Sequence, residues 1–141
     1  MVITEVGVEV VNKERKGPLY GYSSIVFDNE LVVHDLKIIS GKKRLFVAMP
    51  NRKLMGRCLN CAKKNNLESR YCSHCGVKLD RDRVICLPYG TPARLYADIV
   101  HPISSELRDH IEKLVLTEYE AELERAQQPG HISGYTRVMS V

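Results

Sequence analysis

The sequence predicts an α+β fold: an antiparallel β-meander of about five strands with one packed C-terminal helix, interrupted by a small cysteine-containing insert. Three observations carry this. Through the first part of the chain, apolar residues alternate with others at the two-residue period of a half-buried strand. Between Leu107 and Tyr119 they recur at helical spacing instead. Between these regions, from Pro50 to near Arg94, the composition turns from β-branched to cysteine, lysine, arginine and asparagine, then turns back.

The first strand runs over Val2–Val11, with Thr4, Val6, Val8 and Val10 on one face and Ile3, Glu5, Gly7 and Glu9 on the other. After the turn-prone Gly17-Pro18, Leu19–Phe27 is rich in aromatic and β-branched residues and ends at Asp28-Asn29, a hairpin signal. The third strand, Leu31–Ile39, places Val32, His34, Leu36 and Ile38 on one face, which suits His34 to a buried, hydrogen-bonded role. Ser40-Gly41-Lys42 turns the chain into a short strand, Leu45–Met49, that Pro50 stops. Leu95–Val100 is a fifth strand, ended by His101-Pro102.

Ser104 or Ser105 can cap the helix that follows, by accepting a free N–H of its first turn. That helix is about 20 residues long on the 3.6 period. Leu107, Ile111, Leu114, Val115 and Tyr119 form its apolar stripe, and Glu112, Lys113, Glu118, Glu120 and Glu122 fill the other faces. The segment from Gln127 has no periodicity and contains Pro129, Gly130 and Gly134, so it reads as a flexible tail over residues 127–141. The resulting organisation is a core over 1–53 and 94–126, an insert over 54–93 and the tail.

Within the insert, Cys58-Leu-Asn-Cys61 and Cys72-Ser-His-Cys75-Gly76 are two C-x-x-C pairs ten residues apart. Four thiolates suit one tetrahedral zinc ion, and four protein ligands leave no position for an activated water, so the ion is structural, one per chain. Gly76 can take the positive φ that such a knuckle needs after its second cysteine. His74 is an alternative ligand. The rival readings are two unrelated pairs or a redox dithiol, which usually stands alone at the start of a helix. Cys86, between Ile85 and Leu87, reads as a packing residue on an apolar strand.

Charge is distributed unevenly. Residues 42–94 hold 13 Lys/Arg against 3 Asp/Glu, whereas residues 1–41 hold 4 against 6 and residues 95–141 hold 4 against 8. A central block this basic is a footprint for a polyanion such as nucleic acid. Lys63 and Lys64 between the knuckles, with Arg57 and Arg70 beside cysteines, would present several cations on a metal-fixed loop. Tyr71 could stack on an unpaired base, although packing over the small module is the commoner role for such a residue.

Outside the insert, the run Leu31–Pro50 (LVVHDLKIISGKKRLFVAMP) and the later run Ala97–Glu120 (ADIVHPISSELRDHIEKLVLTEYE) closely resemble the stage V sporulation protein G (SpoVG) family. The resemblance rests on the VVHD, LFVAMP and HPI segments and the NEY-like Thr117-Glu118-Tyr119. It implies a small bacterial protein with a curled antiparallel sheet and a C-terminal helix, forming a homodimer. It also implies regulation of septation, sporulation or other gene programmes through DNA and RNA binding. The sequence departs from that pattern over roughly Leu54 to Ala93, where the family has only a few polar residues. At matching positions, the resemblance assigns nucleic-acid contacts to Arg52, Lys53 and Arg108.

The expected function is therefore a DNA- or RNA-binding regulator whose zinc insert extends a basic surface. The alternative is an adaptor whose zinc ribbon docks a protein partner from cell division or regulation. No nucleophile elbow or glycine-rich phosphate loop is present, so an enzyme is not expected. Without a membrane-length apolar run or a signal-peptide pattern, the expected location is the cytoplasm, including the nucleoid.

Overall fold

A computed structural model describes residues 1–11, 14, 16–80 and 96–139. The chain forms two compact units, Met1–Pro50 with Val100–Val141, and Asn51–Ile99.

In the first unit, β1 (Ile3–Val10), β2 (Leu19–Phe27), β3 (Leu31–Ser40) and β4 (Leu45–Ala48) form an antiparallel sheet in the order β1-β2-β3-β4. The β2–β3 turn is built by Asp28 and Asn29 at φ 51° and 56°, with the Glu30 N–H donating to the Phe27 carbonyl at 2.9 Å. Positive φ at both central residues gives the primed turn whose twist matches the flanking strands, and Asp and Asn tolerate it.

Strict alternation fails where the strands bulge. On β1, Ile3 and Glu5 face the adjacent residues Phe27 and Val26, so Thr4 is extra, and both Ile3 and Val6 pack on the core. On β3, the pairs Ser23↔Leu36 and Ile25↔Val33 leave one extra residue, with Asp35 at φ 64°. That bulge turns Val33 rather than His34 toward the core. The expected face of Val32, His34 and Leu36 is therefore corrected. His34 meets the Tyr135 ring edge-on, with centroids 6.5 Å apart, and its Nδ1 has no hydrogen-bond partner among the described residues.

The long helix α1 (Ser105–Arg125) starts at Ser104, whose hydroxyl accepts the Leu107 N–H at 3.2 Å. Its Ile111, Val115 and Tyr119 enter one cluster with Val8, Ile25, Phe27, Leu36, Ile38 and Met49. Leu107, Leu116 and Leu123 flank this stripe, whereas Leu114 stands outside the cluster. Glu122 is also a correction: instead of filling a solvated face, it is buried to 1% exposure. Its carboxylate accepts the Arg125 Nε–H at 3.1 Å and contacts His131 Nε2, while Arg125 also binds Glu118.

Two further expectations change. The fifth strand, Tyr96–Asp98 (β8), does not join the meander but pairs with Asn51–Lys53 (β5) in the second unit. Pro50 has no N–H with which to carry the β4 ladder forward, and the chain beyond it finds a new partner. The expected tail contains a helix, α2 (Gly134–Met139), packed on β1. Val138 is buried there, and the Tyr135 hydroxyl donates to Asp35 Oδ1 at 2.9 Å. Burial, together with that bond, pushes the Tyr135 phenol up to about 12. Because Gly7 faces away from its buried neighbour Val8, α2 lies on the sheet face opposite the core. A Cβ on Gly7 would stand 2.5 Å from the Gly134 carbonyl oxygen, so only glycine permits this approach. The strand assigned around Cys86 lies outside the described residues.

Candidate metal centre and basic surface

The cysteine site is built from two copies of one turn. In the first, the Ala62 N–H donates to the Cys58 carbonyl at 2.8 Å and the Cys58 N–H to the Lys63 carbonyl at 2.8 Å. In the second, the Gly76 N–H donates to the Cys72 carbonyl at 3.0 Å and the Cys72 N–H to the Val77 carbonyl at 2.9 Å. The residue after each second cysteine is left-handed, Ala62 at φ 63° and Gly76 at φ 79°. Both turns aim their sulfurs inward, so that Cys58, Cys61, Cys72 and Cys75 place all four Sγ atoms within 4.8 Å of one another. Such a cluster can hold a metal ion. His74 is exposed, stands outside it, and contributes only its backbone N–H, to Cys72 Sγ at 3.4 Å.

The left-handed positions test whether backbone strain limits the module. Nothing lies within 4 Å of a Cβ added at Gly76, so Gly76→Ala meets only the unfavourable φ. It is expected to destabilise Asn51–Ile99 by about 1 kcal/mol, with Ala62→Gly moving in the opposite direction. Denaturant midpoints followed by hydrogen exchange within that unit check both signs.

The sulfurs receive donors suited to thiolates. Cys72 Sγ accepts the Cys75 N–H at 3.5 Å, the His74 N–H and the Asn65 side-chain amide at 3.3 Å. The Cys75 N–H is the leading cause that brings the Cys72 thiol down to about 5, with burial opposing it. Cys75 is lowered too, chiefly by the Asn60 amide at 3.5 Å. Cys61 moves the other way, to about 11: the Lys63 N–H lowers it, but burial and the three neighbouring sulfurs outweigh that. Four sulfurs this close repel one another when ionised, and a divalent cation among them removes the conflict.

Asn65 was not legible as a site residue. It is 4% exposed, sits on β7 (Lys64–Asn66) opposite β6 (Met55–Arg57), and accepts the Ser73 N–H at 2.9 Å while its amide donates to Cys72. One side chain thereby joins the ladder that leaves the first knuckle to the second knuckle. The available signal was an asparagine, poorly suited to strands, beside a cysteine turn.

Arg52, Lys53, Arg57, Lys63, Lys64 and Arg70 are all exposed in the second unit; Arg108 is exposed in the first turn of α1, in the other unit. They are not equally available. Lys53 pairs with Glu68 at 3.4 Å, and Arg57 Nη1 donates to the Ala62 carbonyl at 3.2 Å. Arg57 and Lys64 are direct cross-strand partners. Like charges so placed disfavour the ladder unless an anion lies over them. Tyr71 corrects the packing expectation, since it is 63% exposed. Among the described residues, no helix is long and apolar enough to cross a membrane.

Comparison with known proteins adds to this geometry. A family model described as SpoVG matches residues 1–121. A relative from Caldanaerobacter subterraneus subsp. tengcongensis, named "Putative septation protein SpoVG", is 34% identical over 120 residues, covering 85% of this chain and 89% of its own. A protein of the same name from Thermoanaerobacter pseudethanolicus is 33% identical, covering 85% and 88%. Another, from Agathobacter rectalis, is 33% identical over 124 residues, covering 88% of this chain and 98% of its own.

Proposed function

The chain belongs to the SpoVG family, and on that footing we propose that it is a nucleic-acid-binding regulator, not an enzyme, with a structural zinc ion in its cysteine cluster. A role in septation follows the naming of its relatives. The carrying observation is the charge of the second unit: its described residues hold seven Lys/Arg and three Asp/Glu, with Arg57 and Lys64 side by side on one ladder. Such a surface gains affinity for phosphates by releasing counterions.

Zinc fits the donor set. A tetrahedron with arms of about 2.3 Å has edges of about 3.8 Å, and the Sγ atoms of Cys58 and Cys75 are 3.7 Å apart, those of Cys61 and Cys72 3.6 Å. When bound, zinc would cross-link the two knuckles and hold all four sulfurs ionised. The residues around it supply N–H donors to three of those sulfurs, Cys61, Cys72 and Cys75, and leave the cations on the outside.

The test is a salt titration of binding to short DNA and RNA. Affinity should fall steeply with salt, and Lys63→Glu with Lys64→Glu should weaken binding to every sequence and flatten the slope by about 2. Binding that ignores salt excludes this reading. A protein-docking role has one observation in its favour, Leu59 at 69% exposure inside the first knuckle. Recovery of a single protein partner after nuclease treatment would favour it.

A further inference from the structure

We propose that the second unit binds single-stranded nucleic acid by stacking an unpaired base on Tyr71, in a groove between Arg70 and Lys78. This rests on the nucleic-acid reading above and adds a ligand class and a contact point to it.

Tyr71 is 63% exposed, and its backbone is held in place. It pairs with Lys78 in an antiparallel bridge, and on either side of that bridge the Leu79 N–H bonds the Arg70 carbonyl at 2.8 Å and the Cys72 N–H bonds the Val77 carbonyl at 2.9 Å. The residue after Tyr71 is a cluster cysteine. A tyrosine on such a backbone has only two side-chain torsions to order when a base stacks on it, which keeps the entropic cost of a stacking platform low.

The groove beside the ring is lined by Leu67, Glu68, Arg70, Lys78 and Asp80. Its charges are mixed, and that selects the part of the ligand it can take. Carboxylates repel a phosphate but accept the exocyclic N–H groups of bases. Arg70 and Lys78 form no ion pair among the described residues and can take the flanking phosphates. The groove therefore offers acceptors suited to a base beside cations suited to its flanking phosphates. Bases within a duplex have their faces covered by their neighbours, so only an unpaired base can use the ring.

The sequence contains no tryptophan, so Tyr71→Trp installs a single reporter on the platform. With a twelve-nucleotide single strand, in DNA and RNA forms, its fluorescence should be quenched at the same concentrations that saturate anisotropy. The duplex of the same sequence should leave it unquenched. Tyr71→Ala should weaken single-strand binding by about fivefold to a hundredfold, Tyr71→Phe should preserve it, and duplex affinity should not change. If Tyr71→Ala binds single strands as the parent does while Lys63→Glu with Lys64→Glu still weakens binding, stacking is wrong and the basic surface stands. If neither strand form binds in a salt-dependent way, the nucleic-acid reading fails and takes this proposal with it.

Discussion

A strong chelator, or Cys72→Ser, is expected to unfold the second unit while the four-stranded sheet and α1 keep their structure. The two units have unequal means of support. All nine residues of the buried cluster, from Val8 to Tyr119, belong to the first unit. In the second, Leu54 is the one large apolar side chain other than cysteine that is fully buried among the described residues. A module whose described residues hold so little core depends on a metal or disulfide, and structural zinc in finger peptides supplies about 10–16 kcal/mol. Losing it should leave Asn51–Ile99 unfolded at any temperature. Hydrogen exchange reads the outcome by segment: amides at Cys58, Ala62, Cys72 and Gly76 should lose protection, while those of β2 and β3 keep theirs. Cooperative loss in both units would show that the insert organises the whole chain. Unchanged exchange would show that no metal holds the cluster.

The parts of this structure that were legible in the sequence are those whose causes are local. Two C-x-x-C pairs specify a common site because each turn is closed by its own backbone, and Gly76 announces the positive φ it supplies. The strands of the meander were readable from apolar alternation and from Asp28-Asn29, and α1 from its stripe and the Ser104 cap. What escaped depends on partners distant in sequence. The bulge at Asp35 reverses the face of His34, but alternation alone gives no sign of an extra residue. Ala62 adopts the conformation of Gly76 without glycine's chemistry, since its knuckle imposes it. A six-residue helix is shorter than any window in which periodicity can register, so α2 was hidden. Its trace was the pair Gly7 and Gly134, 127 positions apart, whose meaning emerges only when the two backbones touch.

The same long-range logic makes the end of α1 a sensitive polar position in the first unit. Arg125→Leu is expected to lower its stability by about 2–3 kcal/mol, or roughly 10 °C in Tm. Glu122 is 1% exposed, and Arg125 binds its carboxylate at 2.9 Å while also binding Glu118. Glu118, first, and then Glu122 hold the guanidinium above its ordinary value. Removing Arg125 leaves a buried carboxylate with His131 as its remaining partner, a cost that would be larger if Arg125 were not itself 40% exposed. His131 precedes α2, where Ser133 Oγ accepts the Thr136 N–H at 3.1 Å, so loss of the cluster should first release α2 from β1. Thr136 and Arg137 amides should exchange faster than those of α1. The double variant Glu122→Leu with Arg125→Leu discriminates the cause. It replaces the buried charge with apolar surface and should recover most of the loss. A double variant as unstable as the single would mean that Arg125 acts through its packed stem and not through its charge.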